Sequence, residues 1–131
     1  MFIIPFKAVA KGRPRHSGGH TYTPKETRDF EELVAKCYTL RGERSYMHGE
    51  ALYISIVFVF AIPKSYTQKR REAILEGREQ YTKKPDIDNL IKSILDGLNG
   101  TAYADDKQIT GVTAFKRYGS EDRIEVNIWK I

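Results

Sequence analysis

The sequence predicts an α+β domain, with helices packed on a mixed or antiparallel sheet of about four strands. Three observations carry that prediction. The run Ala51 to Ile62 is apolar at alternate positions on one face (Leu52, Ile54, Ile56, Phe58, Phe60, Ile62) and partly apolar on the other (Val57, Val59, Ala61). Apolarity on both faces is the pattern of a central strand. Two segments, about Pro24 to Leu40 and Ile87 to Leu98, instead repeat their apolar residues at three and four, the period of a helix packed on one side. The predicted order is β-α-β-α-α-β-β, one domain over residues 1–131.

Phe2 to Ala10 reads as a first strand, with Pro5 placing it at an edge or a bulge. Lys11 to Thr23 is a polar loop with Gly12, Pro14, His16, Gly18, Gly19 and His20. In such a loop the His16/His20 spacing predicts solvent exposure or phosphate contact rather than metal binding. Thr23 and Pro24 supply an N-cap and a first-turn proline. The helix that follows buries Phe30, Leu33, Val34, Cys37 and Tyr38, with Gly42 as its stop. After the central strand, Pro63 ends pairing and Ser65 to Gly77 forms a short basic helix. Arg78 to Pro85 is a linker. The helix Ile87 to Leu98 buries the stripe Ile87, Leu90, Ile91, Ile94, Leu95 and Leu98, and Gly97 and Gly100 mark its end. Lys107 to Tyr118 and Arg123 to Trp129 read as an antiparallel hairpin turned at Gly119-Ser120, with a bulge at Gly111.

Composition narrows the function. The apolar share of 40% and charged share of 30% are those of a water-exposed globular protein. No segment approaches the ~18 apolar residues of a membrane span, and the opening apolar stretch is too short for a secretory signal. The single cysteine, Cys37, excludes an internal disulfide framework and a cysteine-rich zinc site; its place in a helical pattern predicts packing, and a cytoplasmic location is expected. The net charge is +5, and the basic residues are clustered. Lys7, Lys11, Arg13, Arg15, Lys25 and Arg28 are accompanied by one acid, Glu26. A second cluster holds Lys64, Lys69, Arg70, Arg71, Arg78, Lys83 and Lys84. Such clusters attract phosphates and release counterions, although a solvated surface has the same composition.

Against this basic background the carboxylates of one stretch stand out. Asp86 and Asp88 lie at the start of the third helix, where acids cap the first turn and favour its dipole. Capping accounts for Asp86 and Asp88 but not for the polar row Asp88, Lys92, Asp96 at i, i+4 and i+8. An Asp88–Lys92 ion pair would contribute only ~0.2–0.5 kcal/mol. Asp105 and Asp106 then enter a predicted strand, where aspartate is disfavoured. Packing of that strand beside the helix start would bring Asp105 or Asp106 to Asp86 and Asp88. Oxygen-only ligands suit magnesium or manganese, the metals of phosphodiester hydrolysis. Lys92, one turn beyond Asp88, is placed to stabilise charge on a phosphate.

The residues Asp86-Ile87-Asp88-Asn89-Leu90, followed by Lys92, Asp96, Leu98 and Asp105-Asp106, resemble the RusA family of Holliday junction resolvases of phages and prophages. The resemblance implies a small α+β fold, a homodimer, and magnesium- or manganese-dependent paired nicking of four-way DNA junctions. It implies Asp86, Asp88 and Asp106 as essential carboxylates, Lys92 as the active-site lysine, and Asp105 as a neighbouring acid. Lys11, Arg13 and Arg15 in the first loop, and Lys69, Arg70, Arg71, Lys83 and Lys84 before the acids, are the expected DNA contacts. Tyr66 and Tyr81 are more readily packing residues than stacking platforms, and Trp129 is expected to pack on the sheet or at a dimer interface. No organic cofactor is expected. Two other readings use the same residues: a DNA-binding protein without chemistry, and a metal-dependent phosphohydrolase of small nucleotides. The acids count against the first. The absence of a glycine-rich phosphate loop counts against a nucleoside triphosphatase.

Overall fold

A computed structural model describes residues 1–41 and 44–131. Its main sheet has four strands in the order β1-β6-β4-β5, with three helices. The strands are β1 (Phe2–Ile4), β4 (Leu52–Ala61), β5 (Ile109–Gly119) and β6 (Arg123–Lys130); the helices are α1 (Lys25–Leu40), α2 (Gln68–Leu75) and α3 (Ile87–Leu98). A separate two-stranded ribbon is formed by β2 (Arg15–Ser17) and β3 (His20–Tyr22). None of the described helices is long and apolar enough to cross a membrane.

Strand β4 is central, as its two apolar faces predict. It pairs parallel with β5 and antiparallel with β6. Leu52, Ile54, Ile56 and Phe58 are fully buried on one face; on the other, Val59 is nearly so. The same burial overturns the expected hairpin. β5 and β6 are adjacent in sequence, yet β4 lies between them. Their connection passes over the end of β4, where Ile62 N–H donates to Gly119 O and Ala61 N–H donates to the Asp122 carboxylate. A register shift between Leu52 and Tyr53 puts the bulge beside Gly111, whose missing side chain leaves room for the Tyr53 ring.

The core lies between one face of this sheet and helices α1 and α3. Phe30, Val34 and Tyr38 of α1 meet Leu90, Ile94 and Leu98 of α3 there, with Ile124 and Val126 of β6. Cys37 is half-buried in the same helix, and burial pushes its thiol pKa up, in keeping with packing. Gly97 does not stop α3. A Cβ there would stand 2.9 Å from the Val34 Cβ, so this glycine lets the two helices approach closely. Pro24 rather than Thr23 occupies the cap position of α1, without a side-chain cap. The expected stop at Gly42 lies outside the described residues.

Two further expectations change. The first strand ends at Ile4, before Pro5, and pairs only with β6, so it is an edge strand. Within the expected polar loop, Gly18 and Gly19, at φ +57° and +80°, make the two-residue turn of the β2–β3 ribbon. On the face of the sheet away from the helices, the Trp129 ring packs against Tyr53 at 5.4 Å.

Candidate nuclease site

Helix α3 sits in the crossover between parallel strands β4 and β5, as a parallel pair requires. Burial of Leu90, Ile94 and Leu98, at roughly 1.5–3 kcal/mol each, holds the helix to the core and turns its polar row outward. Asp86 stands at the N-cap position with cap-like backbone angles, yet its carboxylate makes no capping hydrogen bond. Asp88 Oδ1 accepts from the adjacent Asn89 N–H, at 2.9 Å. Both carboxylates are exposed, as is Lys92, and no ion pair joins Lys92 to Asp88 among the described residues.

The chain leading to Asp86 is braced by groups that the sequence did not single out. Lys116 of β5 donates from Nζ to the carbonyls of Lys83 (2.8 Å) and Pro85 (3.0 Å). Tyr81 stacks on Phe60 at 4.2 Å and donates its hydroxyl to Lys84 O. Beside this segment a cleft of about 410 Å³ opens between Lys7, Tyr81, Lys84, Asp86 and Asn89. Its size is that of a small-ligand pocket, and its lysines would draw a phosphate toward the Asp86 carboxylate.

Asp105 and Asp106 are not in a strand. Asp105 caps a single 3-10 turn, Asp106–Gln108, in a reciprocal capping box: its carboxylate accepts from Lys107 N–H at 2.9 Å, and the Gln108 side-chain oxygen accepts from Asp105 N–H at 3.0 Å. That gives Asp105 a structural reason, and the Lys107 hydrogen bond holds its carboxyl below the usual range. The turn is tied to the far end of α3 through Tyr103, whose buried hydroxyl donates to Leu95 O at 2.6 Å. Asp106 accordingly lies near enough to Asp96, toward that end of α3, for the two charges to interact. Partial burial, the hydrogen-bonded Asp105 and the charge of Asp96 push the Asp106 carboxyl pKa up.

The separation follows from topology. A crossover helix runs antiparallel to the strands it joins, so the segment entering β5 lies at the C-terminal end of α3. Asp88 and Asp96 are about 12 Å apart along the helix axis. Among the described residues, no three Asp, Glu, His or Cys side chains form a group that could hold a metal ion. Magnesium commonly takes only one or two carboxylates and completes its shell with water and substrate phosphate, and the crowded Asp105–Asp106 pair, next to Asp96, has the hard oxygen donors for that kind of site.

The predicted DNA contacts divide. Arg13, Arg15, Lys69 and Lys84 are exposed and make no ion pair among the described residues. Lys11 turns inward, with Nζ 2.5 Å from Glu31 and 3.1 Å from Asp96. Arg70 pairs with Glu79 and lies 3.6 Å over the Tyr66 ring, and Arg71 donates to the carbonyls of Pro63 and Tyr66. Lys83 also sits over Tyr66, at 4.8 Å. The faces of Tyr66 and Tyr81 are thus engaged by protein groups. His16 bonds Thr21 across the ribbon at 3.0 Å.

The profile of the endodeoxyribonuclease RusA family matches residues 5–129. The chain belongs to the RusA family. Among curated relatives it is 31% identical to the uncharacterized protein YqaN of Bacillus subtilis (strain 168) over 136 residues, covering 99% of this chain and 95% of the relative. It is 26% identical over 129 residues to the crossover junction endodeoxyribonuclease rusA of Lactococcus phage r1t, covering 98% of this chain and 92% of that protein. The RusA match takes in every carboxylate described above, together with Lys11 and Lys116, for which no signal in a single sequence separates a brace from a phosphate contact.

The raised Asp106 pKa predicts a pH-dependent cost. Folded Asp106 holds its proton to higher pH than the unfolded chain does, so stability falls as pH rises through that interval and the full cost remains above it. In EDTA, Asp106→Asn should melt at a higher temperature than the parent near pH 7. The difference should vanish below about pH 3, where both states are protonated. Thermal melts across pH check this.

Proposed function

We propose that this chain is a divalent-metal-dependent endonuclease that cuts four-way DNA junctions by paired nicks, acting as a homodimer. Membership of the RusA family carries this reading, and the exposed, uncapped carboxylates of Asp86 and Asp88 support it. So does the name of the phage r1t relative, a crossover junction endodeoxyribonuclease. A two-fold dimer matches a two-fold substrate and would place one site at each of two symmetric nicks.

In this reading magnesium or manganese, together with the substrate phosphate, would be held by carboxylates presented from two segments, Asp86 and Asp88 at the start of α3 and Asp106, with Asp105 beside it, in the turn that follows α3. When bound, such an ion supplies Lewis-acid stabilisation of the phosphate and a more acidic water. Lys92, exposed and without an ion pair among the described residues, supplies positive charge where phosphate charge develops. Arg13, Arg15, Lys69 and Lys84 hold the DNA backbone and set its register. Arg70, Arg71, Lys83 and Lys11 serve mainly to hold the elements that present those contacts.

A synthetic mobile four-way junction, compared with linear duplex in magnesium and in EDTA, tests the activity. Symmetric nicks on the junction alone, only with metal, are the expected result; metal-independent or duplex-only cleavage would contradict it. Asp88→Asn should lower cleavage by roughly 100-fold or more while junction binding is kept or tightened, because one negative charge beside the phosphate is lost. Lys92→Ala should slow cleavage by about 10-fold or more with an unchanged melting temperature, since the side chain is exposed and unpaired. Single-turnover rates and filter binding read both.

A further inference from the structure

The β2–β3 ribbon stands apart from the rest of the fold. Its six strand residues, Arg15 to Ser17 and His20 to Tyr22, are all exposed, and its strands pair only with each other. The register pairs Arg15 with Tyr22 and Ser17 with His20, so these four side chains share one face; His16 and Thr21, bonded to each other, take the other. The first face therefore presents a guanidinium, a phenol ring that is 47% exposed, an imidazole and a hydroxyl, with no carboxylate among them.

The root of the ribbon is held firmly and close to the acidic helix. Lys11 N–H donates to Asn89 O of α3 at 2.9 Å, while its ammonium bridges Glu31 of α1 and Asp96 of α3. Gly12 N–H donates to the buried Thr27 hydroxyl at 3.0 Å. A Cβ at Gly12 would come within 2.8 Å of that oxygen, so the chain passes here only as glycine. Whatever the ribbon grips is thus set relative to α3.

We infer that this ribbon is an arm that enters the major groove of a duplex segment of the substrate, tip first, and aligns that duplex with helix α3. The inference rests on the proposed nuclease reading for the identity of the substrate. Dimensions choose the groove: a two-stranded ribbon fits the major groove, about 12 Å wide, and not the minor groove, about 6 Å wide. Three residues per strand extend about 10 Å, enough to reach the floor of a groove about 8.5 Å deep. Charge chooses the partner. In the sequence flanking and forming the ribbon, residues 13–29, Arg13, Arg15, Lys25 and Arg28 outnumber Glu26 and Asp29, a balance that favours phosphate over a second copy of this basic chain.

Dimethyl sulfate protection of guanine N7, which lies in the major groove, tests this on junction complexes in EDTA, where no cleavage is needed. Two variants separate shape from charge. Gly18→Val/Gly19→Val keeps every charge but strains the turn at two positive φ angles, and Arg15→Ala/Tyr22→Ala removes the cation and ring at the root of the ribbon, which would hold the phosphates at the groove rim. The parent protein should protect N7 positions on the junction arms. Both variants should lose that protection, with junction Kd raised about 10-fold or more. Protection that persists in both variants, or a parent that binds without N7 protection or not at all, would overturn the inference. So would a change in oligomeric state by light scattering with DNA affinity unchanged, which would assign the ribbon to a protein contact. A parent that protects N7 but never cleaves in magnesium would refute the nuclease reading and leave the arm standing.

Discussion

The burial of one stripe of α3 between α1 and the sheet is the constraint on which the site depends. Leu90, Ile94 and Leu98 are completely excluded from water, and Gly97 brings the α1 backbone close enough to seal them. Each such side chain contributes several times what a surface ion pair along the same helix would. The apolar face therefore sets the helix orientation by itself. The packing does not require Asp86, Asp88 or Lys92, and among the described residues these three side chains make no ion pair.

The same packing dictates how the acids are distributed. Because α3 lies in the crossover that leads into β5, the segment before it and the segment after it are anchored separately. Lys116 and Tyr81 fix the segment before Asp86 at one end; Tyr103 and the Asp105–Gln108 capping box fix Asp106 at the other. The long substrate of a junction-cutting enzyme suits such an extended, open arrangement better than a small molecule would. The basic residues are sorted likewise. Lys11, Arg70 and Arg71 are spent on internal carbonyls and carboxylates, while Arg13, Arg15, Lys69 and Lys84 stay available for phosphate.

Much of this was legible in the sequence because the signals are local. The α3 boundaries follow from a stripe with helical period and a proline before it, and the central place of β4 follows from its two apolar faces. Pairing partners were not legible. β5 and β6 look like a hairpin because they are consecutive and joined by Gly119-Ser120, but the burial of β4 on both sides places it between them. The β2–β3 ribbon gives little signal in the sequence despite its Gly-Gly turn, since its strands are polar on both faces and lack alternation. Asp105 and Asp106 were placed in a strand because the capping box that explains Asp105 depends on Gln108, whose side chain also reaches back to the carbonyls of Met47 and Glu50. Convergence of those acids with Asp86 and Asp88 is an expectation from spacing, and among the described residues no three such side chains form a group.

The central claim is that the acids at the start of α3 serve chemistry rather than helix stability, and Asp86 isolates it best. It occupies the cap position without making a capping bond, so the two roles predict opposite outcomes for one substitution. The decisive measurement is the melting temperature of Asp86→Ala, which removes any cap, alongside its single-turnover cleavage of a four-way junction in magnesium. An unchanged melting temperature with cleavage reduced by about 100-fold or more is the predicted result. A lowered melting temperature with cleavage intact would make Asp86 a helix cap and contradict the account.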